Sequence, residues 1–401
     1  MNAPSWRTPA VVLYCGALVL CISLGIRHAF GLFLTPMSAE LGWGRETFAL
    51  TIAVQNLVWG LTQPIAGRIA DRFGAGWVVC GGAVLYALGL YLMSQSTTEL
   101  ELLIGGGLLI GVGCSGTTFP VVFGAIGRAV PAEKRSLALG ISMSVGSLGQ
   151  FFLLPGSNAL IQSVGWSQTL MLLGGLCLTI VLLAAPLMES GQSERRPALP
   201  LGMLLNEAFR HRGFWLLSLG FFVCGFQVVF IAIHLPAFLS DSGLSPGIGA
   251  TVLALVGLFN IAGSYLAGLG GGRYSKPLLL SGIYAGRMVV ISIFLLLPVT
   301  EWSALAFGMA MGLLWLSTIP LTNGIVATIF GVENMSMLGG VVFLFHQIGA
   351  FLGGWLGGYV YDAFGNYDSV WLICIGLSVM AAVLNLPIRE VPVARLASGS
   401  A

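Results

Sequence analysis

Arg27, His28, His234, Arg287 and His346 all stand inside long apolar runs of this 401-residue sequence, while its 15 acids fall at the ends of such runs or between them. A cation held in hydrocarbon costs about 2.5–3.5 kcal/mol even on the gentlest insertion scale, so each needs a reason to be there. With no buried carboxylate to pair with, a bound anion is the natural counter-ion. Arginine suits a carboxylate because its planar fork donates two parallel hydrogen bonds. Histidine titrates near neutral pH and suits a carried proton. Arg27 is the leading anion contact, with snorkelling toward the outer interface as the alternative. His28 lies ~100° around the same helix, so the two cannot face one cavity equally. His346, near the middle of its run, is the leading proton site, with His28 as a second. The alternative for His346 is a neutral imidazole bonded to a backbone carbonyl. His234, just before Leu235 and Pro236, fits an interfacial or gating position. Arg287 is a second anion candidate. Gln227, Asn323 and Gln347 complete the candidate substrate contacts. Gln55, Asn56, Thr117, Thr118, Gln150, Asn260 and Trp315 are polar groups of the kind that more often join helices than bind ligands.

These residues need helices to hold them. Apolar residues make up 57% of the chain and charged residues 8%, against about 25% charged in a soluble domain. Most of the surface must therefore face lipid. A bilayer core takes ~20 apolar residues per helix, and twelve runs meet that need: 9–37, 46–69, 77–97, 101–126, 136–161, 166–188, 213–239, 247–271, 277–299, 302–330, 337–361 and 368–388. The fold expected is an all-α membrane protein of twelve transmembrane helices in two pseudo-symmetric six-helix bundles. Residues 1–188 form the first, 189–212 a cytoplasmic central loop, and 213–401 the second with a short cytoplasmic tail. The apolar run from Ala10 continues past Phe33, too long for the core of a cleavable signal. The seven cysteines are scattered without CxxC or His/Cys ligand spacing, so no metal site is expected.

Basic residues orient the chain. Fourteen of the 17 Lys and Arg fall in segments that are cytoplasmic if both termini are inside. The two halves also repeat at an offset of about 200 residues. Gly25, Arg27, Phe30 and Pro36 match Gly225, Gln227, Phe230 and Pro236. "SGTTFP" ending at Pro120 matches "WLSTIP" ending at Pro320. Gly140 and Gly149 match Gly340 and Gly349, and "GRIADRFG" from Gly67 matches "GLGGGRYS" from Gly268. Such duplication in transporters places a substrate between the repeats near the midplane.

"GRIADRFG", between the second and third runs, resembles the loop motif of the major facilitator superfamily. Gly67, Asp71, Arg72 and Gly74 match it, while Ala75 and Gly76 stand where the family usually has two basic residues. The resemblance implies a breakable gate. Asp71 would pair with a base and with the positive end of a helix dipole in one conformation and release them in the other. In the second copy Gly272 stands where Asp71 would be. Within the superfamily, "RHAFGLFLTPMSAELGWGRETF" is similar to the monocarboxylate and oxalate:formate antiporter branch. His28 takes the place of a Lys found in some of its members, and Ser264 the place of a helix 8 Arg.

The expectation is a secondary active transporter, not an enzyme. It would move a small organic anion, a monocarboxylate, by alternating access, proton-coupled or by exchange. The alternative is an efflux permease for a neutral or anionic drug or metabolite. "GLGGGRYS" lacks the Gly-Lys-Ser/Thr ending of a phosphate loop, so gradients rather than ATP would drive it. No cofactor and no nucleic-acid partner are expected. A monomer in the bacterial cytoplasmic (inner) membrane, both termini cytoplasmic, is.

Overall fold

A computed structural model describes residues 7–43, 45–188 and 200–397, and among these every regular element is helical. The first six long helices are α1 Pro9–Phe33, α2 Arg45–Phe73, α3 Ala75–Gln95, α4 Glu99–Ala129, α5 Ala132–Val164 and α6 Trp166–Leu183. The next six are α7 Arg212–Asp241, α8 Pro246–Gly271, α9 Lys276–Leu296, α10 Glu301–Phe330, α11 Met335–Phe364 and α12 Asp368–Asn385. All but α2 contain a span long and apolar enough to cross a bilayer. At 29 residues α2 is long enough too, but its polar stripe of Gln55, Asn56 and Gln63 lowers its apolarity. Large apolar side chains such as Trp77, Leu182 and Leu296 lie exposed on the outside, as a lipid-facing surface requires.

Three local differences from the sequence expectation have plain causes. The Gly67–Gly74 motif is helix rather than loop: α2 runs to Phe73, and the chain reverses at Gly74 alone, whose φ of 103° only glycine adopts freely. Residues 201–210 of the expected central loop form a short amphipathic helix, Leu201–Arg210, with Leu204 and Ala208 buried. Residues 189–199 of that loop, with Arg195 and Arg196, lie outside the described residues. Finally, α4 and α10 are each interrupted midway. α4 breaks at Thr118 and α10 between Leu314 and Thr318. Pro120 and Pro320 follow each break closely. Each lacks an N–H, and its ring crowds the carbonyl four residues back, so the helix cannot run straight through.

The chain divides into two compact units. One comprises Met1–Ala132, Val145–Leu199 and Val332–Val341; the other comprises Glu133–Ser144, Pro200–Gly331 and Val342–Ala401. Each therefore contains the opening turns of a helix whose remainder counts in the other unit. Within the first, α2 packs on α4, α3 on α6, and α1 on α6. Within the second, α8 packs on α10, α9 on α12, and α7 on α12. The same pairs recur six helices later, which is what a duplicated bundle produces.

Candidate functional site

In the first unit, close backbone packing positions the candidates of α1. A Cβ on Gly149 would overlap the Cys21 carbonyl, and one on Gly25 would come within 2.7 Å of the Gly149 carbonyl. Only glycine lets α5 come this near α1. Gln150, the next residue, thereby reaches His28: its Nε2 lies 3.2 Å from the ring Nε2. His28 Nδ1 lies 2.7 Å from the Leu24 carbonyl. A carbonyl only accepts, so Nδ1 carries the hydrogen and Nε2 accepts from the Gln150 amide. His28 thus has a defined neutral tautomer. Arg27 is half-buried. Its Nη2 donates to Asn56 Oδ1 at 2.8 Å from α2, and its guanidinium lies 5.8 Å from the Phe30 ring centre. Its buried Nε has no hydrogen-bond partner among the described residues.

In the second unit, Arg287 is wholly buried near the middle of α9. Its Nε and Nη2 donate to the Leu314 carbonyl at 3.1 and 2.8 Å, and Nη2 also donates to the Trp315 carbonyl. These carbonyls close the first half of the broken α10, where a helix leaves its last acceptors unpaired and its dipole negative. Asn260 of α8 serves the same break from the other side, its Oδ1 accepting from Leu316 N at 2.9 Å. Arg287 Nη1 donates to Gln227 Oε1 at 3.2 Å, and Nη2 lies 3.5 Å from Cys224 Sγ. The Gln227 amide then donates to the Cys374 carbonyl at 2.9 Å and to Ser378 Oγ at 2.6 Å on α12.

On α11, His346 is buried between the rings of Phe221 and Phe343, its ring centre 4.8 and 5.2 Å from theirs. Its Nδ1 pairs with Gln347 Oε1 at 3.2 Å, and its buried Nε2 has no hydrogen-bond partner among the described residues. Asn323 is buried in α10. Its amide donates to the Ile319 carbonyl at 3.1 Å, and its Oδ1 has no hydrogen-bond partner among the described residues. His234 Nε2 donates to the Gly354 carbonyl at 2.8 Å inside an aromatic cluster with Phe230 and Tyr367. The structure thus brings Arg287 and Gln227 together in the second unit. Arg27 and His28 occupy the first.

The repeat is visible as chemistry. Ser23 Oγ meets Thr117 Oγ1 at 2.8 Å, and Tyr86 Oη donates to the Ser23 carbonyl at 3.3 Å. Cys224, Thr318 and Arg287 hold the corresponding places, with the same sequence separations of 94 and 63 residues. At this level the equivalence runs at 201 residues, not 200. Gln227 therefore corresponds to the equally buried Ile26 rather than to Arg27. A single step of register turns a helical side chain by ~100°, so Gln227 looks into its own bundle rather than along the direction of Arg27.

The motif residues form a separate cluster within the first unit. Asp71, almost wholly buried, receives Arg128 Nη1 at 2.9 Å on Oδ1. It also accepts from Ser336 N at 3.3 Å and Met337 N at 2.8 Å, two otherwise unpaired donors at the start of α11. Gly67 lies against the Ser336 carbonyl, where a Cβ would clash. Arg72 is exposed and lies over the Phe73 ring. The base at Asp71 is therefore Arg128, which sequence reading passed over as one more cytoplasmic charge. Gly76 abuts the Met188 backbone, its Cβ position 2.5 Å from Met188 N. No basic side chain fits there, which accounts for that departure from the motif.

Comparison with known proteins accords with this architecture. The family model described as Major Facilitator Superfamily matches residues 13–323. Monocarboxylate transporter 11 of Mus musculus is 28% identical over 365 residues, covering 88% of this chain and 81% of that protein. The uncharacterized MFS-type transporter YcxA of Bacillus subtilis (strain 168) is 27% identical, covering 90% of each. Among solved structures, a variant of the E. coli fucose:proton symporter FucP superposes with a TM-score of 0.73 at 15% identity, covering 94% of this chain and 97% of that one. With its repeated helix pairs, lipid-facing surface and motif cluster, the chain belongs to the Major Facilitator Superfamily and is a multi-pass membrane transporter.

Proposed function

We propose that the chain carries a small organic anion, a monocarboxylate, across the bacterial cytoplasmic membrane by alternating access, coupled to protons or to a counter-anion. The observation that carries the reading is Arg27. It is a half-buried arginine in α1 with one donor engaged by Asn56 and a buried Nε left over. A carboxylate supplies the charge and the acceptors that such a guanidinium lacks. Arg287 serves differently in this reading: its donors brace the α10 break, and it holds charge near the path without contacting substrate. His346, Gln347 and Asn323 provide the second unit's polar contacts, and His346 carries the proton. The relatives named monocarboxylate transporters support the substrate class.

Asp71 with Arg128, closing on the first turn of α11, acts in this reading as the cytoplasmic gate together with Gly67, Arg72 and Gly74. Both termini lie on the cytoplasmic side. The test is uptake by proteoliposomes of a panel of labelled carboxylates, with and without an imposed pH gradient. Saturable uptake of a monocarboxylate supports the reading. Failure of every organic anion to enter or to compete contradicts it.

A further inference from the structure

Arg27 meets an amide where a cation in an apolar helix ordinarily meets an acid. Its Nη2 donates to Asn56 Oδ1 at 2.8 Å, and no acid is among its hydrogen-bond partners in the described residues. The amide is fixed at its other end, because Asn56 Nδ2 donates to the Ile52 carbonyl of its own helix at 3.1 Å. Its two ends cannot trade places. Turned over, the NH2 would face the donors of the guanidinium and the oxygen would face the Ile52 carbonyl. The rotation of α2 is set one residue earlier. Gln55 is fully buried and donates to the Gly106 carbonyl of α4 at 2.6 Å, and a Cβ on Gly111 would come within 2.9 Å of the Gln55 carbonyl. With Gln55 held against α4, the next side chain lies ~100° around α2 and turns to α1.

We infer that Asn56 is the residue that sets charge selectivity at Arg27. Its oxygen holds the guanidinium in place, and its neutrality leaves the positive charge to be answered by the substrate. This rests on the carboxylate reading above and names why an anion rather than a neutral solute is selected. An Asp at position 56 has nearly the same shape as the Asn. It would pair with Arg27 and cancel the charge, so a substrate carboxylate would meet a neutral ion pair. An apolar residue there would keep the charge but release the guanidinium, which would then have to be ordered by the substrate itself. Asn56 is thus a positioning residue whose lack of charge matters as much as its hydrogen bond. The second copy of the framework holds neither partner. In the register that matches Ser23 with Cys224 and Gly67 with Gly268, Arg27 corresponds to Val228 and Asn56 to Gly257. Arginine and amide are present together in the first unit and absent together from the second.

Uptake of labelled pyruvate by proteoliposomes, measured across substrate concentration, tests the selectivity. Asn56→Asp should raise the half-saturation concentration about 10-fold or more, the size of one charged hydrogen bond lost. Asn56→Ala should raise it less, although it removes more of the side chain. A merely structural Asn would give the opposite order, because Asp preserves the packing. That opposite order, or an Asn56→Asp variant with the wild-type half-saturation, overturns the inference. Melting temperatures in detergent test the pairing without any substrate, using wild type, Asn56→Asp, Arg27→Gln and the double variant as a cycle. Asn56→Asp should hold or raise the melting temperature when Arg27 is present. In the Arg27→Gln background it should lower it, since the carboxylate then sits in an apolar place without a cation. The same change in both backgrounds, or an Asn56→Asp variant that folds poorly with Arg27 present, overturns the pairing. If wild-type protein carries no carboxylate at all, the substrate reading fails while the melting cycle still decides the pairing.

Discussion

Two arginines of the same chemical type meet opposite circumstances in the membrane. Arg287 donates to the carbonyls that end half of α10 and to Gln227, so its charge is answered by dipoles. Arg27 donates to Asn56 and keeps Nε free of any described partner. Arg27→Ala should therefore raise the half-saturation concentration for the carried anion about 10-fold or more. That follows from the roughly 1.5–3 kcal/mol of a hydrogen bond to a charged group, and competition uptake measures it. Arg27→Lys should recover only part, since an ammonium keeps the charge but loses the fork. Arg287→Ala should instead lower the melting temperature of the purified protein, because the α10 carbonyls lose their donors. Sequence alone revealed both residues, because an arginine in an apolar run without an acid is conspicuous. It could not say which had donors to spare, since that depends on where α10 breaks and which way α9 turns its side chains. Cys224 was invisible for a related reason: a cysteine among apolar residues reads as filler until a guanidinium is found against it.

The motif cluster is a device of helices more than of side chains. Two amides at the start of α11 point at Asp71, and the Arg128 guanidinium completes its shell. Asp71→Asn keeps the size and removes the negative charge that meets Arg128 Nη1 in a mostly buried place. Breaking such a pair costs about 3–5 kcal/mol, and a clear drop in melting temperature in detergent is expected. In the second unit the corresponding contact has no acid. There Gly140 and Gly268 lie backbone to backbone, a Cβ on Gly140 falling 2.6 Å from the Gly268 Cα. Gly140→Ala should cost about 1–3 kcal/mol of overpacking, read as a lowered melting temperature. Where the short helix meets α7, burial holds His211 below the usual histidine value, and Glu207 offsets part of that. The neutral ring is thus favoured in the folded chain. As pH falls below about 6.5 the unfolded chain takes up the proton first, so this contribution is present above that pH and lost on acidification. A His211→Gln variant should show a shallower loss of melting temperature on acidification than the wild type. The sequence located the glycines and the acid but placed them in a loop. Hydropathy marks a helix's end at its first charges, whereas α2 continues through Arg68, Asp71 and Arg72 until Gly74 lets the chain turn.

For the molecule as a whole, duplication was legible because matched Gly and Pro positions survive where side chains have diverged. Pro120 and Pro320 interrupt α4 and α10, and Gly149 and Gly349 bring α5 and α11 against α1 and α7. The register between repeats was not fully legible. Letter matches pair Arg27 with Gln227, but the hydrogen-bonded triads pair Ser23 with Cys224, one residue out of step. The two copies of one framework therefore carry different chemistry: a hydroxyl cluster with an outlying arginine in the first, and an arginine, thiol and amide in the second. A carrier of organic anions needs cationic groups inside its apolar helices, and Arg27 and Arg287 stand there with no acid among their hydrogen-bond partners in the described residues. The most direct measurement is counterflow of a labelled monocarboxylate into proteoliposomes holding wild-type protein or Arg27→Ala, at equal reconstituted amounts. The account predicts transient accumulation of label in wild-type vesicles and its loss in the variant at low substrate concentration. Accumulation that is equal in both, or absent with every carboxylate while a neutral solute is carried, would contradict it.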